Sequence, residues 1–435
     1  METNTNPGRD DRTADNALLA TDLWMAAGLG AVALTLYAAL GLRLARGVYL
    51  DYFNLAFDFD PIRYVGTFGL SPADPGGVKH PLILLLRPLG QALVFLGCDA
   101  KQASVLVMAG FGAAGVAIAC LFVRAIGAGR AEAAALTILY AVTGTQLFTS
   151  IIAEAYGPAG FGIAALWLLT AYRLSDRRER PWQRTLLGVF CFGVTLTNVM
   201  QVALTELLVS LRFHGLMDAI RRTIRFGLML TAILIVLCAI VWHDELATIL
   251  ADPVLALKQV YWLRTKGERT GALKVAETFL GYSFISPAYD TVHLPEGIDM
   301  LDFRRTSFTG IGSAAWLTWL IFLASGATGT LLNARTRWLM AGMAAALALN
   351  ILFHLDFQFR GSLYIYASHT HFLVFGLAAG LAPWVRGRPR LACAYTLAVL
   401  VLAGLTGGTN LPVAEAFTRS FDTVTIDCPA PCTER

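Results

Sequence analysis

Charge is scarce in this chain: Asp, Glu, Lys and Arg make up 15% of its 435 residues, while 56% are hydrophobic. A soluble core of that size has no room for so much apolar side chain, so a water-soluble globule is excluded and a polytopic membrane protein is implied. Cysteine in metal-ligand spacing is missing too. Cys98, Cys120, Cys191, Cys238 and Cys393 lie in or beside apolar runs and read as small buried hydrophobes. Cys428 and Cys432 flank Pro429-Ala-Pro431 in a polar tail, where an oxidising compartment would let them close a small disulfide loop. There is no repeat of fixed period, which argues against a solenoid, and no pair of similar halves, which counts against an inverted-repeat transporter. No signal-peptide cleavage site follows the first apolar run. The net charge of +4 comes from arginines in short loops between apolar runs, a membrane-topology pattern, so no nucleic-acid partner is expected.

What is present is a series of apolar runs near the twenty residues that cross about 30 Å of hydrocarbon. They fall at 22–45, 101–124, 131–151, 157–174, 226–243, 312–332, 337–355, 364–384 and 391–407. The run 186–213 has a polar middle, Thr195 to Gln201, and reads as two short helices meeting near Asn198 around a cavity. The total is ten to eleven crossings in an all-α bundle. Basic connections at Arg124 to Arg130, Arg173 to Arg184, Arg212 to Arg225, Arg335 to Arg337 and Arg386 to Arg390 place those loops in the cytoplasm. The expected organisation is then a cytoplasmic tail at 1–21, a membrane domain at 22–407 and an extracytoplasmic tail at 408–435. Two large outer loops, 46–100 and 244–311, complete it. Arg43 and Arg46 break the pattern by falling on the outer side, where they would snorkel to headgroups or bind an anion. Residues 82–96, broken at Arg87-Pro88, are too short to span and suit an interfacial or re-entrant helix.

Ionisable groups on the outer side are the candidates for chemistry. Asp58 and Asp60 are two apart, so extended backbone would put both on one face, and Pro61 biases Asp60 toward that geometry. The competing reading is that Asp60 only caps a helix with proline at its first position. Arg63, Lys79, His80 and Arg87 add cations to the same loop and suit a phosphate-bearing lipid, with a carboxylate taking a proton from an acceptor. A solvated loop touching headgroups is the plainer alternative. Glu154 and Tyr156 stand in the turn between the third and fourth spans, either as site residues or as ordinary interfacial ones. Tyr366, Ser368, His369 and His371 lie at the outer end of a late span, with His354, Asp356 and Arg360 just upstream. Histidines at i and i+2 do not share a helical face, so they suit a polar cavity lining better than a metal clamp. In 244–311, Lys258, Tyr261, Trp262, Arg264, Lys266, Arg269, Arg304 and Arg305 mix cations with aromatics, as in a helical cap over a cleft or a set of interface anchors.

With these features placed, the chain resembles the GT-C fold glycosyltransferases, most nearly the bacterial relatives of the protein mannosyltransferase and lipid A aminoarabinose transferase superfamily. The likeness rests on the acidic first outer loop, the Lys79-His80-Pro81 that follows, Glu154, and the Tyr366-to-His369 stretch. It covers the first four spans best. The resemblance implies an essential Asp in the first outer loop, here Asp60 or Asp58 in an Asp-x-Asp instead of the common Asp-Glu. It implies a second acid at Glu154, and Lys79, His80, Arg87 and Arg264 around a donor phosphate. It also implies a polyprenyl-phosphate sugar donor, a glycan, lipid or protein acceptor, and a bacterial inner-membrane location with the site on the outer face. Some members use a divalent cation at the acidic pair and others do not. Alternatives of other classes are a transporter or flippase of a lipid-linked substrate, a non-catalytic subunit of an envelope-assembly complex, and a ligase or polymerase whose catalytic loop is 244–311.

Overall fold

The computed structural model describes residues 10–422 apart from 54, 69–81, 253, 255–270, 294–298, 304–307, 309, 335 and 357–361. Lys79, His80, Arg264, Arg304, Arg305, Arg360, Cys428 and Cys432, along with the other basic and aromatic residues of 258–269, therefore lie outside the described residues. The chain is a predominantly helical polytopic membrane protein. Among the described residues seven helical segments are long and apolar enough to cross a bilayer: Ala20–Leu44 within α1 (Asp10–Leu44), α4 (Ala100–Ala125), α10 (Leu216–Val241), α13 (Ile311–Leu332), Arg337–Leu355 within α14 (Arg337–Asp356), Tyr364–Val385, and α17 (Pro389–Arg419). An eighth is the pair α5 (Arg130–Ala141) and α6 (Gly144–Ile151), bent by 59° at its break. The ten to eleven crossings expected also counted α7 (Tyr156–Asp176) and the pair α8 (Pro181–Val194) and α9 (Val199–Phe213), which fall short of that length or apolarity. Large apolar side chains stand exposed on the outward faces of α1, α10, α13 and α17, as at Trp24, Ile240, Ile321 and Val401, where lipid covers them.

Helix α7 runs through the middle, buried along most of its length and packed on α4, α8, α9 and α15 (Ser368–Ala378). The break between α8 and α9 falls where the polar run predicts it, as a 3₁₀ turn over Leu196–Asn198. The α5–α6 break is held by protein groups. Asn410 of α17 donates to Val142 O at 2.8 Å, Gly144 N–H donates to Phe284 O at 3.1 Å, and Thr145 N–H donates to Ser283 O at 2.9 Å. Irregular backbone survives at membrane depth only with such partners. Close approach is bought with glycine where α13 crosses the Tyr364–Val385 segment: a Cβ at Gly326 would lie 2.3 Å from Ala378 O, and one at Gly329 2.4 Å from Leu381 Cα.

Three expectations about the loops and the C-terminal segment meet a different local structure. The 244–311 loop is only partly helical, with α11 (His243–Ala251) and α12 (Ala272–Ala276). It also carries an antiparallel hairpin of β1 (Tyr289–His293) and β2 (Asp299–Phe303), paired from Tyr289↔Phe303 to His293↔Asp299. Thr291 and Val292 supply the β-branched residues that a pleated pair favours. Residues 408–419 are not tail. Helix α17 continues through Pro412 to Arg419 because Asn410 is tied to the α5–α6 break and Phe417 is buried among aromatic rings. Arg43, expected to snorkel or bind an anion, lies 3.7 Å from Glu415 and 3.8 Å from Asp422, which supply it with counter-charge.

Candidate functional site

The acidic loop is fastened to the hairpin before it reaches its carboxylates. Leu301 N–H donates to Leu55 O at 2.9 Å and Phe57 N–H donates to Leu301 O at 2.7 Å, a parallel bridge that lays the loop along β2. The chain then turns through two consecutive non-glycine residues in the left-handed region, Phe57 at φ 53° and Asp58 at φ 60°. Aspartate tolerates that region, whereas phenylalanine in it is a true outlier. Such conformations cost about 1–3 kcal/mol each and persist only where the surroundings over-determine them. Here they do: the Phe57 ring packs 4.6 Å from Phe303, 5.2 Å from Phe148 and Tyr364, and 5.7 Å from Phe417. The expected extended run from Asp58 to Asp60 is thus replaced by a turn at Asp58. Its cause is the docking of Phe57 into this aromatic cage.

Beyond the turn, Asp60 immediately precedes α2 (Pro61–Phe68), so the helix-cap position and the buried-acid position coincide. Asp58, Asp60 and Glu154 are each only 4% exposed. Glu154 lies in the turn between α6 and α7, and its carboxylate gathers the loop. Asp60 N–H donates to Oε2 at 2.9 Å, Ala155 N–H donates to Oε1 at 3.0 Å, and the Tyr64 hydroxyl hydrogen-bonds the same group. Burial, then the neighbouring Asp60 charge, push the Glu154 carboxyl up from its ordinary value to about 7, against these hydrogen bonds, which pull it down. Arg63 Nη1 stands 3.8 Å from Asp60 Oδ2, and its guanidinium lies 5.8 Å from the Phe53 ring centre.

Tyr156, at the start of α7, links the acids to the late span. Its ring lies 6.1 Å from Phe59, 6.1 Å from Tyr366 and 5.5 Å from His369. His369 Nδ1 is 2.6 Å from Asn198 Oδ1, and its carbonyl accepts from Gln201 Nε2 at 2.6 Å, so the α8–α9 break and the late span share one polar lining. His371 turns elsewhere, 2.8 Å from Thr143 Oγ1. The His354 ring centre lies 4.5 Å from that of Tyr366, with the rings tilted by 33°. Of the predicted residues, the structure brings together Asp58, Asp60, Arg63, Glu154, Tyr156, Tyr366 and His369. Arg87 is half-buried on α3 (Ile83–Phe95), the short helix packed on α2 and α4. Among the described residues no group of three or more His, Cys, Asp or Glu converges as a metal cage requires.

Sequence reasoning missed Tyr64 and Asp302. Tyr64 is four residues after Asp60, one helical turn along the same face, a spacing that could have exposed it. Asp302 on β2 accepts from Ser362 Oγ and from Phe303 N–H, both at 2.9 Å, and burial pushes its carboxyl up. No local pattern announces it. The chain matches no protein-family model and no curated protein. Among solved structures it is similar to the Archaeoglobus fulgidus oligosaccharyltransferase in the apo form, at 12% sequence identity and a TM-score of 0.48. That similarity covers 89% of this chain and 56% of the other, so the chain spans little more than half the length of that protein.

Proposed function

We propose that this chain is a membrane glycosyltransferase that moves a sugar from a polyprenyl-phosphate-linked donor to a glycan, lipid or protein acceptor at the outer face of a bacterial inner membrane. The observation that carries the reading is the strained Phe57-Asp58 turn. A buried outlier of this kind, two residues before a carboxylate that faces the Arg63 guanidinium, is costly as mere architecture and supports a functional role for the turn. The resemblance of the same segment to GT-C enzymes agrees with it. In the reaction Asp60 takes the proton from the acceptor hydroxyl or amine. The acceptor atom bonds to the anomeric carbon as the bond from that carbon to the phosphate oxygen breaks. The phosphate leaves with the electron pair, and its charge is met by Arg63 and Arg87, with Lys79, His80 and Arg264 as further candidates. Glu154 acts on this chemistry indirectly, as the group that fixes the Asp60 backbone. Transfer of radiolabelled sugar from a panel of polyprenyl-phosphate donors to membrane acceptors, with wild type, Asp58→Asn and Asp60→Asn at equal folded levels, tests the proposal. Loss in Asp60→Asn with donor binding intact supports it. Equal transfer in all three proteins removes the pair from catalysis, and no transfer by wild type from any donor favours the transporter or scaffold reading.

A further inference from the structure

At the other end of α17 lies an open cleft of about 400 Å³ lined by Leu332, Asn333, Pro383, Trp384 and the Arg386-Gly387-Arg388 turn. From Pro389 to Phe417, which packs on the Phe57 ring, is 28 helical steps or roughly 40 Å, so the cleft is far from the acidic turn. Its cations are held by backbone, not by acids. Arg386 Nη1 donates to Gly127 O at 3.2 Å, Arg388 Nη1 donates to Trp384 O at 2.7 Å, and the Arg388 guanidinium lies 3.8 Å from the Trp384 ring centre. Nearby, Arg337 Nη2 donates to Leu331 O at 2.8 Å, capping the end of α13. None of the three forms an ion pair with a carboxylate among the described residues. Elsewhere on the basic side, Arg124 and Arg130 share Asp22, while Arg173 and Arg184 share Glu206.

Each guanidinium has five N–H donors in a fixed fork, and one carbonyl uses only part of it. The remaining donors leave capacity for an anion, and one carrying two unesterified or bridging oxygens suits the fork. The apolar surroundings indicate what carries that anion. Leu332 lines the cleft and is 53% exposed, and Leu331 and Leu391, close in sequence to lining residues, are 68% and 46% exposed, apolar surface that water would not favour and an acyl chain would cover. Trp384 at the boundary is the residue type that settles at headgroup depth.

We infer that this cleft binds the phosphodiester headgroup of an anionic phospholipid, with Arg386 and Arg388 on the phosphate and the acyl chains along Leu331, Leu332 and Leu391. The full-length protein in neutral detergent is titrated with phosphatidylglycerol or phosphatidylcholine, and bound lipid is counted by native mass spectrometry. Wild type is expected to retain phosphatidylglycerol about ten-fold better than phosphatidylcholine, and the Arg386→Gln/Arg388→Gln pair to lose that preference. Arg388→Gln alone, which leaves the Gly127 contact in place, is expected to lose part of it and serves if the double variant is not monodisperse. Glycerol 3-phosphate, added as a soluble competitor, should not displace the lipid. Equal preference in wild type and variants, or displacement by glycerol 3-phosphate alone, overturns the inference.

Discussion

Replacing Glu154 by alanine tests how the acidic turn is held. The wild-type carboxylate accepts from the backbone N–H groups of Asp60 and Ala155 at 2.9 and 3.0 Å and is bonded to the Tyr64 hydroxyl, all in a buried setting. Alanine leaves these donors facing a small cavity. A buried donor without a partner costs about 1–3 kcal/mol, so the two amides together lower the local stability of the turn by about 2–6 kcal/mol. Water entering the cavity would recover part of this and sets the lower bound. The left-handed Phe57-Asp58 backbone adds to the drive for release, because its strain is relieved once the loop is free. At about 1.4 kcal/mol per decade, amide exchange across 55–64 should accelerate roughly 30- to 20,000-fold. Glu154→Gln keeps one oxygen acceptor and turns an NH₂ toward the other amide, so it should fall between wild type and alanine. Hydrogen–deuterium exchange by mass spectrometry on protein in lipid nanodiscs reads this directly. Exchange in 55–64 that is unchanged in Glu154→Ala would refute the claim that Glu154 clamps the loop.

The same carboxyl predicts a pH effect. Its folded value of about 7 lies above the ordinary 4.5, so the folded state holds the proton more tightly. The stability it contributes is therefore full below about 4.5 and lost as pH rises through about 7, a change of about 3 kcal/mol in the limit. The thermal midpoint of wild type should fall across pH 4.5 to 8 more than that of Glu154→Gln, and parallel curves would contradict the assignment. Glycine contacts give a paired test on helix packing. Gly326→Ala drives a Cβ into the Ala378 backbone, which cannot yield as a side chain would, and should cost about 1–3 kcal/mol or more. Gly28→Ala, with nothing within 4 Å, should stabilise α1 by about 0.5–1 kcal/mol. Thermal midpoints that shift alike in the two variants would sink this account of the α13 crossing.

How much could be read from the chain depended on contrast. In a sequence with so little charge, Asp58, Asp60, Arg63 and Glu154 stand out, and the structure brings them together across 94 residues of chain through the Asp60–Glu154 hydrogen bond. Apolar runs likewise announced most spans, and the polar stretch around Asn198 announced the α8–α9 break. What stayed hidden was set by tertiary contacts. No propensity places Phe57 in the left-handed region; five aromatic rings from five parts of the chain do so. The Gly407 to Pro412 stretch looks like the end of a helix, yet α17 continues because Asn410 satisfies Val142 O and Phe284 O while accepting from Ser286 N–H. Asp302 enters the polar surroundings of Tyr364 through the hairpin register, and register is a pairing property that no single strand discloses.

The most direct measurement of the central claim is sugar transfer from a polyprenyl-phosphate donor by purified protein in liposomes, comparing Asp60→Asn with Glu154→Gln. If Asp60 is the base and Glu154 positions it, Asp60→Asn lowers kcat by about 10²–10⁴-fold with donor binding retained, while Glu154→Gln keeps a larger share of the rate. Transfer by Asp60→Asn at the wild-type rate would contradict the account.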